Sequence, residues 1–155
     1  ECMMHRQASF IPAFFPEGVE AGVDYDFFYF PAYSGKDLGK PVLGGGTLFA
    51  ATNDNEATME FLKFLLHPEP NEWWMAKGGF LTPNKNADLN AYSSDTFKKL
   101  GEILTGATTF RFDGSDLMPG AIGAGSFWTG MVDYTNGKSA KEVADAIQSS
   151  WDAIK

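Results

Sequence analysis

The chain has 155 residues, 44% of them hydrophobic and 21% charged, the composition of an ordinary globular domain long enough to bury one core. A formal net charge of -8 with a pI near 4.6 repels phosphate backbones and anionic lipid surfaces, which argues against nucleic-acid and membrane-surface roles. Cys2 is the only cysteine and His5 and His67 are the only histidines, so neither an intrachain disulfide nor a structural zinc set is expected, and no cofactor is implied.

No run of apolar residues approaches the roughly 18 of a membrane span. The opening residues Glu1-Cys2-Met3-Met4-His5-Arg6 form neither a basic segment before an apolar stretch nor a lipoprotein cleavage site. Two expectations follow: a cytoplasmic protein, or a true N-terminus lying upstream.

Residues 3–9 read as a short strand running into a turn. Asp24-Tyr25-Asp26-Phe27-Phe28-Tyr29-Phe30 reads as a clearer strand, closed by Pro31 and apolar enough to suggest burial on both faces. Gly35, Gly39, Pro41 and Gly44-Gly45-Gly46 then punctuate the chain, and a short apolar strand over 47–51 ends what looks like a crossing between two structural units. Helices follow. Asn53 is expected to cap the first, with Ala57, Phe61, Phe64 and Leu65 as its buried face. A short helix opens in the turn containing Pro70, passes Trp73 and Trp74, and is ended by Gly78-Gly79. A third starts at Ser94, with Phe97, Leu100 and Leu104 as its stripe and Gly106 beyond its end. A fourth begins near Ser126, carries Phe127, Met131 and Tyr134, and stops at Gly137. In the last, Ser139-Ala140-Lys141-Glu142 is a capping box, and Val143, Ile147 and Ile154 line the core face. Strands in the first third and helices after them make an α/β or α+β arrangement, with too few strands for a complete open sheet.

Enzyme signatures are scarce. No G-x-S-x-G, phosphate loop, H-E-x-x-H or C-x-x-C occurs, and Gly44-Gly45-Gly46 precedes a strand where a dinucleotide fingerprint would join strand to helix. Those glycines read as a turn, or as bare backbone approached by a ligand. Asp113-Gly114-Ser115-Asp116 reads as turn capping first, as hydrogen bonding to a polar ligand second, and as a carboxylate pair for glycoside hydrolysis last. His5, beside Arg6 and Gln7, reads as hydrogen-bonded structure before it reads as a general base. Phe27, Phe28, Phe30, Phe61 and Phe64 fall on core positions and are assigned to packing. Trp73 and Trp74, about 100° apart on a helix, cannot both face one cleft. Trp128 follows the flexible-looking stretch Pro119-Gly120-Ala121-Ile122-Gly123-Ala124-Gly125 in the first turn of a helix, and is open to core packing or to ligand stacking.

In order along the chain come a strand-turn segment over 3–10, a strand over 27–33, Lys40-Pro41-Val42-Leu43-Gly44-Gly45-Gly46, and the helix 55–66. Gly78-Gly79-Phe80-Leu81-Thr82-Pro83-Asn84 follows, then Met118-Pro119 to Phe127-Trp128 with a closing amphipathic helix. This order resembles the C-terminal portion of the family 1 extracellular solute-binding proteins, the sugar receptors of ABC importers. The resemblance implies an α/β fold of the periplasmic-binding-protein-like type II, two lobes joined by a hinge with a sugar or oligosaccharide between them, an alpha-glucoside among the candidates. It places residues 1–43 and 110–155 in the C-terminal lobe and 44–109, with the hinge crossings, in the N-terminal lobe.

By the same resemblance the protein is no enzyme. Its partners are the sugar and the ABC permease, it is a monomer at full length, and it works in the periplasm or outside the cell, in some cases as an anchored lipoprotein. The ligand contacts it implies are Trp128 and Phe10 by stacking, Gly44 and Gly45 by backbone, and Arg6, Gln7, Asp113 and Asp116 by hydrogen bonds. The family's usual Gly-Ser-Trp is Ala8-Ser9-Phe10 here, which makes Phe10 the lesser stacking candidate. A carbohydrate-active enzyme and a structural or adaptor domain without a small ligand are the rival readings.

Overall fold

A computed structural model describes residues 3–154; Cys2, the single thiol, lies outside the described residues. The chain forms two compact units, the first ending at Arg111 and the second beginning at Phe112.

In the first unit β1 (Pro41–Gly44) pairs with β2 (Thr109–Phe112), whose last residue opens the second unit, in a two-stranded sheet. Ahead of that pair, Thr108 N–H donates to the Lys40 carbonyl at 3.0 Å and Lys40 N–H to Thr108 Oγ1 at 2.8 Å. Three helices follow β1: α1 (Glu56–Leu66), α2 (Pro68–Lys77) and α3 (Asp95–Thr105). Asn55 caps α1 by accepting from Thr58 N–H; the cap expected at Asn53 sits two residues later, because Asn55 is the residue extended immediately before the helical turn. Between α1 and α2 stands His67 alone, extended at φ -68, ψ 151. Pro68 imposes this: it clashes with a helical residue before it yet fits the first position of a new helix. Gly78 and Gly79 end α2 at φ +83 and +72. Ser94 caps α3 through Phe97 N–H, and Gly106 closes it.

Met75, Ala87 and Tyr92 form the core of this unit, with Phe80, Leu81, Leu89 and Phe97 packed against them. Gly101 of α3 touches the Tyr92 ring so closely that a β-carbon there would stand 2.3 Å from a ring carbon. A polar seam runs beside that core. Asn71 donates to the carbonyls of Leu65 and His67, and Asn84 donates to that of Leu66, so the acceptors that the end of α1 leaves open are filled by side chains from outside it.

Three expected strands are absent. Residues 3–9 and 47–51 carry no strand pairing, and in 24–30 only Tyr25 makes an isolated bridge, to Ala21. A strand needs a neighbour as well as the right residues, and beyond that single bridge these segments have none among the described residues. The double burial expected of 24–30 fails with it: Phe28 is 68% exposed, and Phe30 is exposed too, while Phe27 is half-buried edge-on to Tyr25. This segment is tethered by the Lys99–Asp26 ion pair at 3.0 Å and by the Tyr29 hydroxyl on the Pro41 carbonyl. Lys99, by its hydrogen bond, and the Phe27 N–H hold the Asp26 carboxyl below its usual range. On α1 the half-buried residues are Thr58, Leu62 and Leu65, so Leu65 alone of the expected core face turns inward while Ala57, Phe61 and Phe64 stay exposed.

The second unit is helical. Residues 119–125 are no flexible loop: Ala121–Phe127 is a wide π-type helical stretch, opened where Ile122 N–H and Gly123 N–H both donate to the Pro119 carbonyl. Gly123 fits there because a β-carbon would stand 2.8 Å from the Ser115 carbonyl. The stretch breaks at Gly125 (φ -94, ψ -105) and continues as α4 (Trp128–Thr135), ended near Gly137 at φ +103. Helix α5 (Ala140–Ala153) starts from the full Ser139–Glu142 capping box and turns Val143 and Ile147 inward. Ile154, expected on that face, follows the helix end and is exposed. The two helices meet at Gly130, where a β-carbon would lie 2.9 Å from Val143 Cγ1 and 3.1 Å from Ile147 Cδ1.

Candidate functional site

Trp128 is the first residue of α4. At 100° per residue it stands nearly opposite Gly130, and Gly130 is the buried contact with α5. Its indole is therefore turned outward, 70% exposed, with the fully buried Ile122 as the anchor of the helical stretch before it. A large flat apolar face held at a helix start suits the apolar face of a sugar ring. Ser126, two residues earlier, has a buried hydroxyl with no hydrogen-bond partner among the described residues.

Asp113 and Asp116 lie in the same unit. The Asp113 carboxylate accepts from Ser115 N–H at 2.8 Å and from the Ser115 hydroxyl at 2.7 Å, the side-chain turn that Asp favours locally. Asp116 is exposed. The turn uses one oxygen of Asp113 for its own geometry.

The other candidates belong to the first unit. Phe10 precedes a single 3-10 turn, Ile11–Phe14, and its exposed ring meets Phe14 edge-on at 6.2 Å. Arg6 and Gln7 are exposed in the extended segment before it, and the Gln7 side-chain carbonyl accepts from Ala8 N–H. Gly44 ends β1, and a β-carbon there would lie 3.2 Å from the Phe110 ring. A β-carbon at 44 would thus sit tight against that ring, which is itself partly exposed. Gly45 follows it, exposed. Among the described residues no hydrogen bond or ring contact joins the 6–10 segment to Gly44 or Gly45. An open depression of about 330 Å³ in this unit is lined by Pro83, Lys85, Leu104, Thr105, Thr108 and Phe110 among others, and by none of the candidates.

Two arrangements in this unit have little or no local signature in the sequence. One is the polar seam of Asn71, Thr82, Asn84 and Tyr92, whose only local signal is an asparagine in the first turn of a helix. The other is the parallel stack of Trp74 on Phe80, centroids 4.4 Å apart, which joins residues on either side of the Gly78-Gly79 turn. Among the described residues no three potential metal ligands lie together, and no helix is long and apolar enough to cross a membrane.

The chain is 58% identical, over all of its own length, to the alpha-glucosides-binding periplasmic protein of Rhizobium meliloti. It is 40% identical over 97% of its length to the osmoprotective compounds-binding protein of Synechocystis. It spans about a third of each, 34% and 35%. No family model matches the chain, and no solved structure does.

Proposed function

We propose that this chain, homologous along its whole length to solute-binding proteins, is the C-terminal part of a receptor that captures an alpha-glucoside and delivers it to an ABC permease. The observation that carries this reading is the 58% identity, end to end, with a protein named for binding alpha-glucosides. The 40% identity with an osmoprotectant binder makes that solute class the less favoured one. The whole receptor has the two-lobed type II architecture, with residues 1–43 and 110–155 in one lobe and 44–109 in the other. It works as a monomer on the periplasmic or outer side of the membrane.

Trp128 supplies the stacking face and Phe10 a lesser one; Gly45 offers backbone, and Gly44 does so only where the Phe110 contact allows. Arg6, Gln7, Asp113 and Asp116 serve the sugar hydroxyls, which need donors and acceptors around the ring equator. Closure of the lobes on the sugar is what the permease recognises. Capture rather than turnover is the mechanism, in keeping with relatives named as binding proteins.

Calorimetry on the full-length gene product with maltose, trehalose, sucrose and longer glucosides tests the reading. Binding of a glucoside without product formation is expected. Absence of heat with every sugar, or hydrolysis abolished by Asp113→Asn or Asp116→Asn, would overturn it.

A further inference from the structure

The flanks of α1 are chemically distinct. Glu56, Glu60 and Lys63 fall together on one, where Lys63 pairs with Glu60 at 2.6 Å in solvent. Thr58, Leu62 and Leu65 fall on a second, half-buried against the rest of the unit. Ala57, Phe61 and Phe64 fall on a third by the i, i+4, i+7 rule. This third flank is as apolar as the second, yet Phe61 is 56% and Phe64 42% exposed, and no residue of α1 is fully buried.

Trp73 of α2 extends the same surface. Its ring centroid lies 6.1 Å from that of Phe64 and it is itself exposed. Aromatic side chains present about 150 to 250 Å² each, so the three together put on the order of 300 Å² of ring surface into solvent, the size of the largest apolar patch on a typical monomer. Both helix ends are already satisfied, by Asn55 at the start and by Asn71 and Asn84 at the end. What the flank lacks is therefore a packing partner, not hydrogen bonds.

We infer that the Ala57–Phe61–Phe64 flank of α1, continued by Trp73, is an internal surface of a longer protein, covered in cis by the portion that the relatives carry outside the matched stretch. That portion is large: the chain spans 34% and 35% of the two relatives, so about two thirds of each is available to supply the cover. The inference rests on the reading of the chain as part of a longer binding protein.

Hydroxyl-radical footprinting of the unmodified full-length gene product, read by mass spectrometry, tests the cover without any variant. The references are the same peptides in the urea-unfolded protein. At a concentration where light scattering reports a monomer, Phe61, Phe64 and Trp73 are expected to be protected by about tenfold or more, since a covered group reacts only through local opening. Unprotected rings in the native monomer would overturn the inference. So would protection that appears only as the concentration is raised, which would make the cover a second copy of the chain. Trp128 reads the function separately in the same digest: it should react freely without ligand and become protected when an alpha-glucoside is added. Protection of the α1 flank with an indifferent Trp128 would sink the sugar-receptor reading and leave this inference standing.

Discussion

The Thr82 hydroxyl donates to the Asn71 side-chain carbonyl at 2.8 Å, and both residues are buried. The same hydroxyl accepts from Asn84 N–H at 3.0 Å, while Thr82 N–H donates to the Tyr92 hydroxyl at 3.0 Å. Since Asn71 and Asn84 go on to the last carbonyls of α1, one hydroxyl links the end of α1, the start of α2 and the turn after Gly79. Burial pushes the Tyr92 hydroxyl up from the usual tyrosine range, against the lowering effect of its bond from Thr82.

Replacing that hydroxyl by a methyl of similar shape, Thr82→Val, leaves the buried Asn71 side-chain carbonyl and the half-buried Asn84 N–H without this partner. The expected loss is about 1 to 3 kcal/mol, the cost of stranding a buried polar group. Thermal and urea denaturation of the two forms measure it, and an unchanged melting temperature would show that the seam adds nothing.

Gly101→Ala drives a β-carbon into the Tyr92 ring, whose nearest carbon would be 2.3 Å away. Destabilisation of about 1 to 3 kcal/mol is expected from such overpacking. Gly114→Ala is the matched control, because nothing lies within 4 Å of its added carbon. Equal melting temperatures for the two variants would contradict the close contact.

Trp128→Ala separates stacking from packing. Its indole is 70% exposed, so the ligand-free melting temperature should move little, whereas a core tryptophan would lose about 3 to 5 kcal/mol. Sugar affinity of the full-length protein should fall by about 1 to 3 kcal/mol, as at other stacking aromatics and anchors. A steep melting drop with affinity retained would remove the residue from the site.

At the start of α5, Glu142 accepts from both the Ser139 hydroxyl and Ser139 N–H. The hydroxyl bond first and the backbone bond second hold its carboxyl below the ordinary glutamate range. A carboxylate whose folded pKa is depressed adds stability above the unfolded value, near 4.3, and that contribution is lost as pH falls through the lower folded value. Ser139→Ala should bring the Glu142 titration, followed by NMR, back up toward 4.3 and flatten the acid-side dependence of α5 stability. A titration unmoved by the substitution would exclude the box as its cause.

Helix ends were legible because their chemistry is local. Ser94, Ser139, Gly78 and Gly106 each act within a few residues of their position, and the structure puts them where the sequence does; Asn53 misled only because Asn55 offers the same side chain two residues on. Strands were not legible. The run 24–30 is rich in the aromatics a strand favours, yet β1 and β2 pair across more than sixty intervening positions, a relation that no local pattern carries. The run from Pro119 to Gly125 misled differently, since glycine-rich composition signals a loop unless small residues are what lets a wide helical turn close on Ser115 and Met118. Of the candidate site, the outward face of Trp128 follows from helix phase. The close approach of Phe110 to Gly44 joins residues far apart along the chain.

The missing β-carbon at Gly130 has a mechanical consequence. With Val143 and Ile147 lying directly against its backbone, α4 and α5 approach more closely at residue 130 than any side chain there would allow, so a larger residue at 130 would have to wedge the two helices apart or push Val143 and Ile147 aside.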